Sequence, residues 1–278
     1  MAIVVQSNTT ASKALGNLNR TNRGLTGTFQ KISSGLRINS AADDSAGLAV
    51  AENLDSEYRS LQQAHRNTND GISVIQTAEG ATNEVSEILK RMRELAVQSS
   101  SETLANSERA YIQDEFAELT KEVDRIAAVT EFNGIALGNG GKSSLDVQIG
   151  AQNTANDRIG ITLGDLRAST LGVDNSGSGI QLDTFTNARA ALTKIDTALD
   201  TVNSYRSDYG AVQNRLESAL NNLEVYKENI AASESRIRDA DYAFETAEMS
   251  KFNIMQQAGM AILSQANGMN QGALRLIG

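Results

Sequence analysis

Few residues in this 278-residue chain are equipped for chemistry. Cysteine, proline and tryptophan are absent, and His65 is the single histidine. No thiolate is available as nucleophile or ligand, no disulfide can form, and no pair of imidazoles can hold a metal. Asp43 and Asp44 are adjacent carboxylates, as acid–base sites use, but they stand at the head of a long apolar-periodic run. Acids there read as caps, because they accept the free N–H groups of a helix start and suit its positive end. Ala136–Ser143, ALGNGGKS, approaches a phosphate-loop pattern. That loop works between a strand and a helix N-terminus. Here SSLDVQIG follows and alternates as a strand, so Asn139-Gly140-Gly141 reads as a turn. The sequons Asn8-Thr9-Thr10 and Asn19-Arg20-Thr21 fall on a segment read as a buried helix. Metalloprotease, serine-hydrolase and dinucleotide signatures do not occur, and Glu84, Glu87 and Glu94 read as helix-surface charges. No catalytic, cofactor-binding or metal-binding residue is assigned, and no enzyme is expected.

The elements that would carry these residues are mostly helices. Aromatics make up 4% of the chain, so the core must be aliphatic and rich in alanine. Leu15, Leu18, Leu25, Phe29 and Ile32 place a helix over residues 4–32, interrupted at Ser33–Gly35. From Ala51 through Leu61, His65, Ile75, Val85, Leu89 and Met92 to Ala96, one seam recurs at steps of three and four. That predicts a single helix over 44–99, about 84 Å long at 1.5 Å per residue, and hence an elongated rod. His65 lies on the seam as a core or interface ring. Ile112, Phe116, Leu119, Val123, Ile126 and Thr130 mark a shorter helix. Leu145, Val147 and Ile149, then Ile159, Ile161 and Leu163, alternate with polar residues and predict a small β-hairpin region within about residues 131–180. Helical spacing returns from Leu192 to Ile230.

A last helix, from about Ala240 to Met269, is apolar on several faces, with Phe244, Ala247, Ile254 and Ala258 on one and Phe252, Met255, Ile262 and Ala266 on another. Such a helix needs several neighbours, which other copies of the chain would supply. Phe252–Leu274 carries no charge, but Gln256, Gln257, Ser264, Gln265, Asn267, Asn270 and Gln271 interrupt it, so it reads as a protein-packed helix and not a membrane span. Charge is uneven as well. Residues 1–42 hold Lys13, Arg20, Arg23, Lys31 and Arg37 and no acid, a segment charge of +5 against −9 for the whole chain. The net negative charge argues against nucleic-acid binding. The start, MAIVVQSNTTASK, has no basic cluster followed by an apolar core, so no cleaved signal peptide is expected.

Several blocks together resemble bacterial flagellin. Lys31–Val50 (KISSGLRINSAADDSAGLAV), Arg91–Gln98 (RMRELAVQ) and Glu131–Leu137 (EFNGIAL) are similar to its N-terminal signature. Tyr209–Leu216 (YGAVQNRL), Glu234–Tyr242 (ESRIRDADY) and Gln257–Asn267 (QAGMAILSQAN) are similar to its C-terminal signature. The ending GMNQGALRLIG departs from the more usual proline-containing one.

The resemblance implies a mainly α fold in which the N- and C-terminal segments pair. Residues 1–43 with 239–278 would form an inner coiled-coil domain, and residues 44–238 a rod of long helices with the hairpin region. The middle is too short for outer domains, so the chain looks like a minimal flagellin. Implied too are self-assembly into an extracellular helical filament for motility and export in unfolded form. An export chaperone would bind the C-terminal segment, and filament-cap and hook–filament junction proteins would be further partners. Recognition of the rod by the host Toll-like receptor 5 would fall on Arg91, Arg93, Glu94, Leu95 and Glu115. Lys90 and Leu119 depart from the strongly activating pattern. The terminal interface would use Leu15, Leu18, Leu25, Phe29 and Ile32 with Phe244, Ala247, Ile254, Met255, Ala258, Ile262 and Ala266. Ser143, Ser144, Ser169, Thr170, Ser176 and Ser178 lie where some members carry O-glycans. The alternatives are a hook–filament junction protein and an intracellular coiled-coil scaffold.

Overall fold

A computed structural model describes residues 7–175 and 179–275, with side chains up to Gly268 in the final helix. The chain order is α1 (Thr9–Ser34), α2 (Ser45–Ser99), α3 (Asn106–Val129), β1 (Glu131–Phe132), β2 (Ile135–Ala136), β3 (Ser144–Gln148), a short 3-10 turn (Ala155–Asp157), β4 (Arg158–Thr162), α4 (Ala168–Leu171), α5 (Phe185–Arg238) and α6 (Tyr242–Arg275). The expected long second helix is present without interruption. The helix read over 4–32 runs from Thr9 and closes on Gly35, whose left-handed backbone donates its N–H to the Lys31 carbonyl. The last helix continues past Met269 to Arg275.

The chain forms two compact units: residues 1–58 with 228–278, and residues 59–227. Both α2 and α5 contribute residues to each unit.

In the first unit, the segment between α1 and α2 is held by side chains at both ends. Asp44 is the cap expected for α2, accepting the Gly47 N–H at 2.9 Å. Asp43 instead folds back on the preceding turn, accepting Ser40 N–H at 2.9 Å, Ser40 hydroxyl at 3.0 Å and Asn39 N–H at 3.2 Å. Those bonds, Ser40 foremost, hold its carboxyl below the usual range. The same stretch is tied to the break between α5 and α6. Arg37 N–H donates to the Arg238 carbonyl at 2.7 Å, and Ala240 N–H to the Gly35 carbonyl at 2.9 Å.

The second unit has a self-sufficient core. Val85, Leu89, Met92, Leu95 and Ala96 of α2 pack with Ile112, Phe116 and Val123 of α3 and with Ala188, Ile195 and Val202 of α5. A continuous cluster follows at Val74, Ile75, Val147, Ile161, Tyr209 and Leu216, where the hairpin lies on α2 and α5. Strand β3 pairs antiparallel with β4, the hairpin that the alternation predicts, and the register sets Val147 opposite Ile159. The β1–β2 hairpin turns on Asn133 and Gly134, both left-handed (φ 49° and 76°), the backbone that an Asn-Gly two-residue turn requires. Asn139–Gly141 is a turn, and a strand follows it.

Arg109 is buried with no carboxylate beside it among its described bonds. Its guanidinium donates to the Ser99 carbonyl (3.0 Å), the Ser101 carbonyl (2.6 Å) and Asn106 Oδ1 (2.9 Å). The cation thus sits on the orphan carbonyls at the C-terminal, negative end of α2. His65 is partly buried on α2, with Nε2 3.7 Å from Glu224 Oε1 of α5.

One acid in this unit gives a pH-dependent contribution. Asp165 accepts from Arg167 Nη2 (2.6 Å), Arg167 Nε (2.9 Å) and the Thr170 hydroxyl (2.8 Å). Its pKa is lowered to about 2, chiefly by the Arg167 bonds. A folded pKa below the unfolded one stabilises above the unfolded value and loses that contribution as pH falls through the folded value. We predict that Asp165→Asn costs up to about 2 kcal/mol near neutral pH, and that the gap closes between about pH 4 and pH 2. Urea unfolding of both proteins across that range checks it. A gap independent of pH would contradict it.

Candidate assembly and recognition surfaces

The terminal unit is built around α1 and α6. Asn8 caps α1, with Oδ1 accepting Ala11 N–H at 2.9 Å, and its amide nitrogen donates to the Ala266 carbonyl of α6 at 3.2 Å. Asp241 caps α6, accepting Ala243 N–H at 2.9 Å and Phe244 N–H at 3.1 Å. Between the caps the two helices approach closely. At Gly24 an added Cβ would lie 2.6 Å from the Phe252 ring, so only glycine admits the aromatic there. Gln256 Nε2 donates to Asn22 Oδ1 at 2.8 Å. Lys31 Nζ lies 3.4 Å from Glu245 Oε1, and Glu245 is only 6% exposed. Opposite charges at this buried point fix which residues face each other more than they stabilise the pair.

Much of the apolar surface stays uncovered. Phe29 is 62% exposed, Phe244 61% and Ile254 67%; Leu15, Met255, Met260, Ile262 and Tyr242 are exposed too. Ala247 and Ala258 are also exposed, whereas Leu18, Leu25 and Ile32 are half-buried and Ala266 is buried. Each large side chain left in water forgoes a burial gain on the order of 1 kcal/mol or more. Among the described residues no helix is long and apolar enough to cross a membrane.

The residues expected at a receptor surface lie in the second unit. Arg91 bridges two helices: Nη2 is 2.7 Å from Glu115 Oε1 of α3, and Nη1 is 2.9 Å from Glu94 Oε2 of its own helix. The bond to Glu115, then that to Glu94, holds the guanidinium more firmly in its charged form. Arg93 Nε meets Asp196 of α5 at 2.7 Å. Arg91, Arg93, Glu94 and Glu115 are exposed, and Asp196 is half-buried. Leu95 is not with them. It is 1% exposed and belongs to the core, because it shares the inward seam of α2 with Met92, Ala96 and Ser99. The expectation of Leu95 at an exposed receptor surface does not fit this burial.

Ser143, Ser144, Ser169 and Thr170 are exposed. The Thr170 hydroxyl already donates to Asp165. Ser176 and Ser178 lie outside the described residues. Among the described residues no three His, Cys, Asp or Glu side chains gather as metal ligands. Sequence reasoning did not single out Gly24, Glu245 or Met260 as parts of the terminal surface. The available signal was the acids of the C-terminal segment set against an N-terminal helix that is basic throughout.

A mainly helical chain whose two ends pair and still expose large apolar side chains has the character of a structural subunit with an interaction surface. Residues 5–142 match the model of the bacterial flagellin N-terminal helical region, and residues 192–277 that of the C-terminal helical region. The flagellin of Halalkalibacterium halodurans is 43% identical over 249 residues, which cover 90% of each chain. The flagellar filament core protein flaB2 of Brachyspira hyodysenteriae is 41% identical over 286 residues, 99% of this chain and all of that one. The solved structure of Bacillus cereus flagellin superposes with a TM-score of 0.50 at 29% identity, over 57% of this chain and 88% of that one. The chain belongs to the bacterial flagellin family, and it is a structural subunit of the flagellar filament, an extracellular homopolymer.

The buried ion pair makes a local prediction. Lys31→Met leaves the Glu245 carboxylate unpaired in a nearly dry position. A double-mutant cycle with Glu245→Gln should return a coupling of roughly 1–2 kcal/mol for this partly exposed pair. Thermal unfolding followed by circular dichroism measures it, and zero coupling would contradict the assignment.

Proposed function

We propose that residues 1–43 and 239–278 form the inner terminal coiled-coil domain through which subunits assemble, and that residues 44–238 form a rod of long helices with the hairpin region. In this reading the apolar faces of α1 and α6 pack against the same helices of neighbouring copies. A head-to-tail contact that does not close on itself then propagates a helix of subunits. The observation that carries the reading is the exposure of Phe29, Phe244 and Ile254 on the paired terminal helices. In family terms, the subunit leaves the cell unfolded without a cleaved signal peptide, a cytoplasmic export chaperone covers the C-terminal segment, and cap and hook–filament junction proteins meet it at the two ends of the filament.

The test is polymerisation. Phe29→Ala with Ile254→Ala should leave the monomer's helical signal intact and raise the critical concentration for filament growth at least tenfold, since two large anchors are lost from an interface. Normal filaments in electron micrographs would refute the surface.

A second reading, recognition by Toll-like receptor 5, is supported by the exposed Arg91–Glu94–Glu115 cluster beside Arg93. Arg91→Ala with Glu115→Ala should lower receptor-reporter signalling at least tenfold without changing the melting temperature by more than a few degrees. Leu95→Ala is a poor probe, because it opens a cavity in the core. A reporter response equal to wild type would remove the site.

A further inference from the structure

The exposed surface of α1 is not all apolar. Lys13, Gly16, Arg20, Arg23 and Gly27 recur at steps of three, four, three and four, so they share one face of the helix. Leu15 and Phe29 fall on another. Lys13, Arg20 and Arg23 are exposed, and none has a described hydrogen bond or ion pair. A Cβ at Gly16 or Gly27 would meet nothing within 4 Å, so neither glycine is required by packing inside the subunit. Each costs helix stability of roughly 0.5–1 kcal/mol relative to alanine. They leave low relief between the cations.

The chain's own terminal acids are engaged elsewhere. Glu245 meets Lys31, Glu248 meets Lys251 at 2.9 Å, and Asp241 caps α6. Beyond residue 42 the sequence carries a net charge of −14, given −9 overall and +5 before it. Exposed carboxylates with no described partner stand on α2 (Asp70, Glu84) and α5 (Asp200, Glu228). We propose that the Lys13–Arg20–Arg23 face of α1 docks on an acidic helix face of a second copy of this chain. The apolar face would then supply most of the interface free energy, and the basic face its register and its salt dependence. The proposal rests on the terminal pair being an assembly surface, and its test separates the two.

Arg20→Gln with Arg23→Gln keeps helix propensity and removes both charges. The monomer's circular dichroism should be unchanged. Its critical concentration for polymerisation should rise roughly tenfold at low ionic strength and converge on wild type as added salt shortens the Debye length to a few ångströms. The apolar double variant should be impaired at every salt concentration. Zero-length carbodiimide coupling in filaments mixed from isotopically light and heavy subunits should join Lys13 to a carboxylate of a different copy. Wild-type assembly by the arginine variant at all salt concentrations would overturn the proposal, as would Lys13 coupling confined to its own chain. So would normal assembly accompanied by loss of binding to phosphatidylserine vesicles, which would make a lipid surface the occupant.

Discussion

The architecture turns on an apolar helix surface that the described residues leave uncovered. Helices α1 and α6 meet along one line, where Gly24 admits Phe252 and Glu245 finds Lys31. A pair of helices has one mutual interface, and α6 is apolar on more than one side. Phe244, Ile254, Met255 and Ile262 are therefore left in water. The favourable term for covering them is the ordinary hydrophobic one, and in the proposed assembly neighbouring copies make it available. In the proposed reading, a subunit made this way is incomplete alone and is completed by its neighbours in the filament.

The second unit solves the opposite problem. Its seam residues on α2 find α3, the β3–β4 hairpin and α5 within the chain, and Phe116, Leu89, Ile195 and Tyr209 are all buried. Several of its buried polar groups are answered internally, although Arg206 Nε is buried without a hydrogen-bond partner among the described residues. Tyr209 hydroxyl accepts the Gly164 N–H at 3.0 Å, and Arg109 closes the end of α2. The exposed Arg91–Glu115 and Arg93–Asp196 pairs lie over this core and add little to its stability, because solvent screens them. What they add is a fixed charge pattern on a rigid support, which is the property a recognising partner can use.

Much of this was legible in the sequence because a single period governs most of it. Steps of three and four from Ala51 to Ala96 specify α2 without further information, and alternation at Leu145–Ile149 and Ile159–Leu163 specifies the hairpin. Features set by one residue were harder to read. The two-residue strands about Asn133-Gly134 are too short to show alternation. Arg109 is charged, and nothing local says that a helix end will receive it. Leu95 lies where a family resemblance and a helical seam overlap, and the seam decides where its side chain goes. Asp43 and Asp44 look alike in sequence. Position relative to the first turn makes one a helix cap and the other a loop tie.

Amide hydrogen exchange, compared between monomer and filament, tests the central claim most directly, because it reports opening segment by segment. The account predicts weak protection across residues 9–34 and 242–275 in the monomer, rising at least a hundredfold in the filament. The core around Leu89, Phe116 and Ile195 should be protected in both states. Strong and equal protection of the terminal helices in monomer and filament would mean that the subunit is complete without its neighbours, and would contradict the account.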